Sequence, residues 1–132
     1  MSEHTPDNWV ILRIFSEKKG KPFYRVLGGW SGGYSYGSSW RMNSGIVACE
    51  ENDKEYLFYG ASGSTYRCKK SSYGLCMNMA GSGIYGLYDE DFQPFNGEYK
   101  KTISVMPETT KWTNVEWNLE ETAISREVQE TR

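Results

Sequence analysis

Trp9-Val10-Ile11-Leu12-Arg13-Ile14-Phe15, then Ser16-Glu17-Lys18-Lys19-Gly20-Lys21-Pro22, then Phe23-Tyr24-Arg25-Val26-Leu27 is the stretch on which the fold depends. Branched and aromatic side chains suit a pleated surface, and the polar link with its Gly and Pro turns the chain. Together they read as an opening antiparallel hairpin. The same grammar continues outward. Gly45-Ile46-Val47-Ala48-Cys49 is followed by the polar run Glu50 to Lys54 and returns as Glu55-Tyr56-Leu57-Phe58-Tyr59. Gly60-Ala61-Ser62-Gly63 then turns the chain into Ser64-Thr65-Tyr66-Arg67-Cys68-Lys69. Short links of this kind predict a meander. Further on, Glu98 to Met106 reads as another strand, stopped by Pro107.

The expected fold is therefore mainly β: an antiparallel meander or a small twisted β-barrel, with a peripheral C-terminal helix. Residues 1–8 are expected to be a flexible N-terminus, 9–117 a single β-rich domain, and 118–132 a helix or tail. Asn118 can cap that helix, whose residues Leu119, Ala123, Ile124 and Val128 approximate one face up to Gln129. Between Ser71 and Asp91, glycines interrupt a helical spacing, so a loop or broken helix is expected there.

The chain's 132 residues suit one domain. A membrane helix needs about 20 apolar residues, and no apolar run is longer than that of Trp9 to Leu12. Met1-Ser2-Glu3-His4-Thr5-Pro6 has neither the basic end nor the apolar core of a signal peptide, so a cytoplasmic location is expected. The net charge of -2 argues against a generic electrostatic grip on nucleic acid. Cys49, Cys68 and Cys76 lack the close spacing of zinc ligands and are expected to be free thiols, and no metal or cofactor is expected.

Chemistry is thinly represented. Gly81-Ser82-Gly83-Ile84-Tyr85-Gly86 has the spacing of a dinucleotide turn but lacks the preceding buried strand. Asp89-Glu90-Asp91 lacks the alternating spacing of a calcium loop. His4 falls in the expected loose terminus, and Cys68 has basic neighbours that would favour its thiolate but no visible base. No catalytic residue is assigned, and a non-enzymatic role is expected.

Recognition is better represented. Gly28-Gly29-Trp30-Ser31-Gly32-Gly33-Tyr34-Ser35-Tyr36-Gly37-Ser38-Ser39-Trp40 combines four large aromatics with five glycines and four serines. Such a loop offers rigid contact area with hydrogen-bonding tips. Trp30, Tyr34, Tyr36 and Trp40 are the expected anchors, with Arg41 making a directed charge contact. Tyr66, Arg67, Lys69 and Lys70 form an expected second patch. Aromatics interleaved with basic residues also suit a small β-barrel that stacks nucleic-acid bases. Trp112 and Trp117 are read as covering an open end of the sheet, with a homodimer or partner patch as the other use.

Over about Trp9 to Tyr73, the order strand, Gly-Gly-Trp-x-Gly-Gly-Tyr, Ser-Trp-Arg-Met-Asn-Ser-Gly-Ile, Tyr-x-Phe-Tyr-Gly-x-Ser-Gly-Ser-x-Tyr-x-Cys resembles small uncharacterised accessory proteins of tailed phages and prophages. The resemblance implies a protein that binds and inhibits a host macromolecule, such as a bacterial defence-system protein, or that sequesters a small nucleotide signal. It carries no catalytic motif. On this reading, alanine at Trp30 and Trp40 removes binding and leaves the fold intact.

Overall fold

The computed structural model describes residues 3–16, 22–30, 39–75, 101–115, 117 and 128–129. Two sheets pack face to face, and they do not close into a barrel. One has the order β1-β7-β6-β5, from β1 (Glu3–His4), β7 (Thr65–Lys69), β6 (Glu55–Gly60) and β5 (Ile46–Glu51). The other has the order β8-β2-β3-β4-β9, from β8 (Lys101–Val105), β2 (Asn8–Ser16), β3 (Phe23–Trp30), β4 (Ser39–Met42) and β9 (Val128–Gln129). Every pairing is antiparallel except that of β1 with β7. The mainly β meander is as the strand grammar predicts.

Alternation along β2 and β3 explains why their sequences are apolar almost without interruption. Trp9, Ile11, Tyr24 and Val26 face the smaller sheet, where they meet Ile46, Phe58, Tyr66, Cys68 and Trp112. Val10, Leu12, Ile14, Phe23 and Leu27 face the other way, with Trp40 and Met42. A strand buried on both faces has no side to leave polar. Arg25 is fully buried on that second face, its guanidinium 3.9 Å from the Met42 sulfur.

The N-terminus departs from expectation. Glu3 and His4 pair in register with Thr65 and Tyr66, and the Asp7 amide donates to the Gly29 carbonyl at 2.9 Å. Pro6 is buried against β3. Gly28 is required there, because a Cβ at that position would sit 2.9 Å from the Pro6 Cβ. Residues 3–8 thus belong to the fold. Short-range sequence patterns do not register a two-residue strand held by a partner about sixty residues away.

The other end also differs. Val128 and Gln129 are extended and pair with Met42 and Arg41, so no helix reaches Gln129, whatever the face spacing suggests. A sheet edge offering unpaired backbone groups outweighs the weak intrinsic preference of a narrow apolar stripe. Residues 118–127 lie outside the described residues.

Three segments are tied together by one phenol. The Tyr73 hydroxyl accepts from the Ile11 amide at 3.2 Å and donates to the Met106 carbonyl. Burial, reinforced by the Glu108 charge, pushes its pKa from 10.0 up to about 12. The folded protein therefore keeps this proton where the unfolded chain releases it. Its contribution to stability is full below pH 10 and is lost as pH rises towards 12. Tyr73→Phe is expected to cost about 1–3 kcal/mol at pH 7, because it leaves a buried amide and a carbonyl unmatched. It is also expected to flatten the loss of stability between pH 10 and 12; urea unfolding at a series of pH values checks both.

Candidate functional site

The aromatic motif resolves into two strand ends and a connection. Gly28, Gly29 and Trp30 are the last residues of β3, and Ser39 and Trp40 open β4. They pair as Gly28↔Arg41, Gly29↔Trp40 and Trp30↔Ser39. Residues 31–38, including Tyr34 and Tyr36, lie outside the described residues.

The register separates the two tryptophans. Neighbouring residues of a strand point to opposite faces, so Trp30 shares a face with Arg41, whereas Trp40 points to the other face. Trp40 is 5% exposed among Val10, Leu12 and Met42. It is a core residue and not the surface anchor that its place in the motif suggests. Trp30 is half-buried at the rim of the inner face, its indole N–H donating to the Thr5 carbonyl at 3.0 Å.

Beside Trp30 lies a residue missed by sequence reasoning. The His4 ring sits 6.3 Å from the Trp30 ring and 4.9 Å from the Tyr66 ring. Its Nε2 is 3.4 Å from an Arg41 guanidinium nitrogen. A guanidinium only donates, so this contact uses the lone pair of a neutral imidazole. Three expected site residues, Trp30, Arg41 and Tyr66, are thereby gathered by a histidine from the segment expected to be loose. Local sequence carries no signal for this, since the pairing of β1 with β7 creates it.

Tyr66 belongs to this cluster as a wall, being fully buried. The rest of the expected second patch is split by strand alternation. Arg67 and Lys69 lie on the outer face of β7, where Arg67 pairs with Glu55 at 2.9 Å and Glu3 at 3.1 Å. Lys70 begins the 3-10 turn Lys70–Ser72 and pairs with Glu51 at 2.5 Å. The four residues do not share a surface.

Cys49 and Cys68 are free thiols as expected, but the favoured thiolate expected of Cys68 is corrected. Cys68 points inward into the inter-sheet cluster, away from its basic sequence neighbours, and burial pushes its thiol well above the ordinary range. Cys49 is also a free thiol, raised to about 12 by burial and then by Glu51 and Glu50. Neither is poised as a nucleophile. Cys76, the glycine turn at 81–86 and the acidic run at 89–91 lie outside the described residues. Among the described residues no three His, Cys, Asp or Glu side chains could hold a metal ion together, and no helix is long and apolar enough to cross a membrane.

A separate cleft forms where the two sheets meet the chain that follows β7. Trp9, Tyr56, Lys70, Tyr73, Glu108 and Trp112 enclose about 200 Å³. Trp112 and Trp117 come from the segment expected to cover an end of the sheet. Both pack into the inter-sheet cluster, Trp112 against Trp9 and Phe58, Trp117 against Tyr24 and Phe58. A broader open groove of about 920 Å³ adjoins the cleft through Lys70. Among the described residues its walls carry Asp53 and Glu55 beside Lys54, Lys69 and Lys70, so charges of both signs line it.

Compared with known protein families, curated proteins and solved structures, the chain matches none. The site is therefore judged on its own chemistry. Trp40→Ala is expected to lower stability by about 3–5 kcal/mol by opening a core cavity. Trp30→Ala, at the rim, is expected to cost about 1 kcal/mol. Chemical unfolding of the two variants side by side checks the assignment.

Proposed function

We propose that the protein is a non-enzymatic binding protein of the phage accessory kind. On this reading it docks onto and inhibits a host protein in the bacterial cytoplasm, such as a component of a defence system. The docking surface is the rim of the aromatic motif, Trp30 and Arg41 backed by His4; the expected anchors Tyr34 and Tyr36 lie outside the described residues.

The observation that carries this reading is the built stem of the aromatic motif. Leu27, Trp40 and Met42 root the β3–β4 hairpin in a buried cluster, while Trp30 and Arg41 keep accessible surface at its end. Side chains held in place before contact lose less freedom on binding, and Trp and Arg are the residue types that dominate protein interfaces. A protein partner is favoured over nucleic acid by the state of the basic residues. Arg67 and Lys70 are already paired with Glu3, Glu55 and Glu51, and the whole chain carries a net charge of -2. Backbone phosphates call for unmatched cations.

The test is retention from a host lysate on the immobilised protein, with and without nuclease, read by mass spectrometry. One dominant protein retained after nuclease by the wild type is expected. It should be lost with Trp30→Ala and with Arg41→Glu, and retained with Arg67→Ala. Nuclease-sensitive retention that weakens steeply with salt would replace this reading with nucleic-acid binding. An empty column, together with a rise in melting temperature on adding a nucleotide, would replace it with capture of a small signal.

A further inference from the structure

The segment from Glu3 to Pro6 lies on the domain in the manner of a captured peptide. It adds a parallel strand to the edge of β7, with Glu3 and His4 in register with Thr65 and Tyr66. Its residues alternate: Glu3 and Thr5 are exposed, His4 is half-buried and Pro6 is buried. The His4 ring packs 4.9 Å from the Tyr66 ring and edge-on to Trp30 at 6.3 Å, with its Nε2 towards Arg41. Pro6 fills the recess that Gly28 leaves, and the Thr5 carbonyl accepts the Trp30 indole N–H at 3.0 Å. Main-chain pairing at a sheet edge, with pockets for alternate side chains, is how sheets capture extended peptides.

Few contacts hold this segment. Two residues pair with β7, the Glu3–Arg67 ion pair is exposed and adds little, and Pro6 is the buried anchor. Elements with so little buried surface open at a fraction of the cost of global unfolding. The seat stays formed when they do. The Tyr66 edge belongs to β7, and Trp30 and Gly28 belong to β3, both strands rooted in the buried clusters.

We infer that this segment is the internal occupant of a peptide-binding groove, and that the host partner displaces it with an extended segment of the same chemistry. That segment carries a flat ring with an acceptor atom for Arg41, seated on Tyr66 and Trp30. Two residues on it carries a proline for the Gly28 recess, and the carbonyl between them takes the Trp30 indole N–H. The inference rests on the reading of the Trp30 rim as a docking surface and names what that surface takes.

The test uses the ¹⁵N-labelled full chain and the acetylated, amidated peptide Ser2-Glu3-His4-Thr5-Pro6-Asp7. Pro6→Gly is expected to speed solvent exchange of the Trp30 indole about tenfold. The Trp9 indole, held by the Lys69 carbonyl at 2.6 Å, is expected to keep its wild-type rate. Added peptide is expected to restore Trp30 protection in Pro6→Gly with a saturable shift of its resonance. In the wild type the same shift is expected to need about tenfold more peptide, because the tethered segment competes at a millimolar effective concentration. A peptide with alanine in place of proline is expected to give no shift, and neither is the double variant Pro6→Gly with Gly28→Ala. Loss of Trp9 protection together with that of Trp30 would overturn the inference, since the segment would then open only with the whole fold. So would an unmoved Trp30 resonance in both Pro6→Gly and wild type at about 10 mM peptide, above that effective concentration. A concentration-dependent dimer of the wild type would replace the partner's segment with that of a second copy. Peptide binding decides this inference and retention from the lysate decides the docking reading, so each fails by its own measurement.

Discussion

Trp9 is the residue through which the two sheets hold each other. Its indole N–H donates to the Lys69 carbonyl at 2.6 Å, tying β2 of the larger sheet to the end of β7 in the smaller. Its ring meets Tyr56, Phe58, Tyr73 and Trp112, so strands from both sheets and the chain on either side of β8 converge on one side chain. The backbone confirms the junction, with Trp9 bridged to Tyr73 and the Gly74 amide donating to the Trp9 carbonyl at 2.9 Å. A large aromatic with a satisfied polar tip can fill such a crossing without stranding a donor in the core.

That constraint shapes both the cleft and the Trp30 rim. With Trp9 and Tyr73 locked, the chain after β7 must pass over the end of the inter-sheet cluster, and it is this passage that leaves a cleft under Lys70. At β1, the N-terminal strand is admitted because Gly28 allows Pro6 to lie directly on β3. The approach brings His4 to Trp30, Arg41 and Tyr66, so the rim of the aromatic motif depends on a glycine within that same motif. Gly28 serves packing of the N-terminal segment and not freedom of a loop.

Burial on both faces of β2 and β3 accounts for the sorting of the motif's aromatics. Trp30 and Trp40 look equivalent along the chain, yet one pleat separates a rim residue from a core residue. The same pleat turns Tyr66 and Cys68 inward and Arg67 and Lys69 outward. A run of aromatics and cations in sequence is thus distributed over three environments, with Arg67 and Lys70 matched by Glu3, Glu55 and Glu51.

Much of the fold was legible because strand-forming side chains and turn residues act over a few positions. The opening hairpin, the links at Glu50–Lys54 and Gly60–Gly63, and the strand before Pro107 follow from local chemistry, and positive φ at Gly63 is the turn geometry that its glycine permits. Other features needed the whole molecule. Nothing within reach of His4 in sequence foretells its place beside Arg41, and nothing near Trp9 announces Lys69 or Trp112 as its neighbours. The sequence by itself determined the long strands and their turns, though not β1, β4 or β9, and that aromatics would dominate the interior. Tertiary structure alone decided which face each aromatic takes and which distant residues meet. Strand preference is a property of neighbouring residues, whereas the choice of face depends on the register and sheet partner that the complete chain selects.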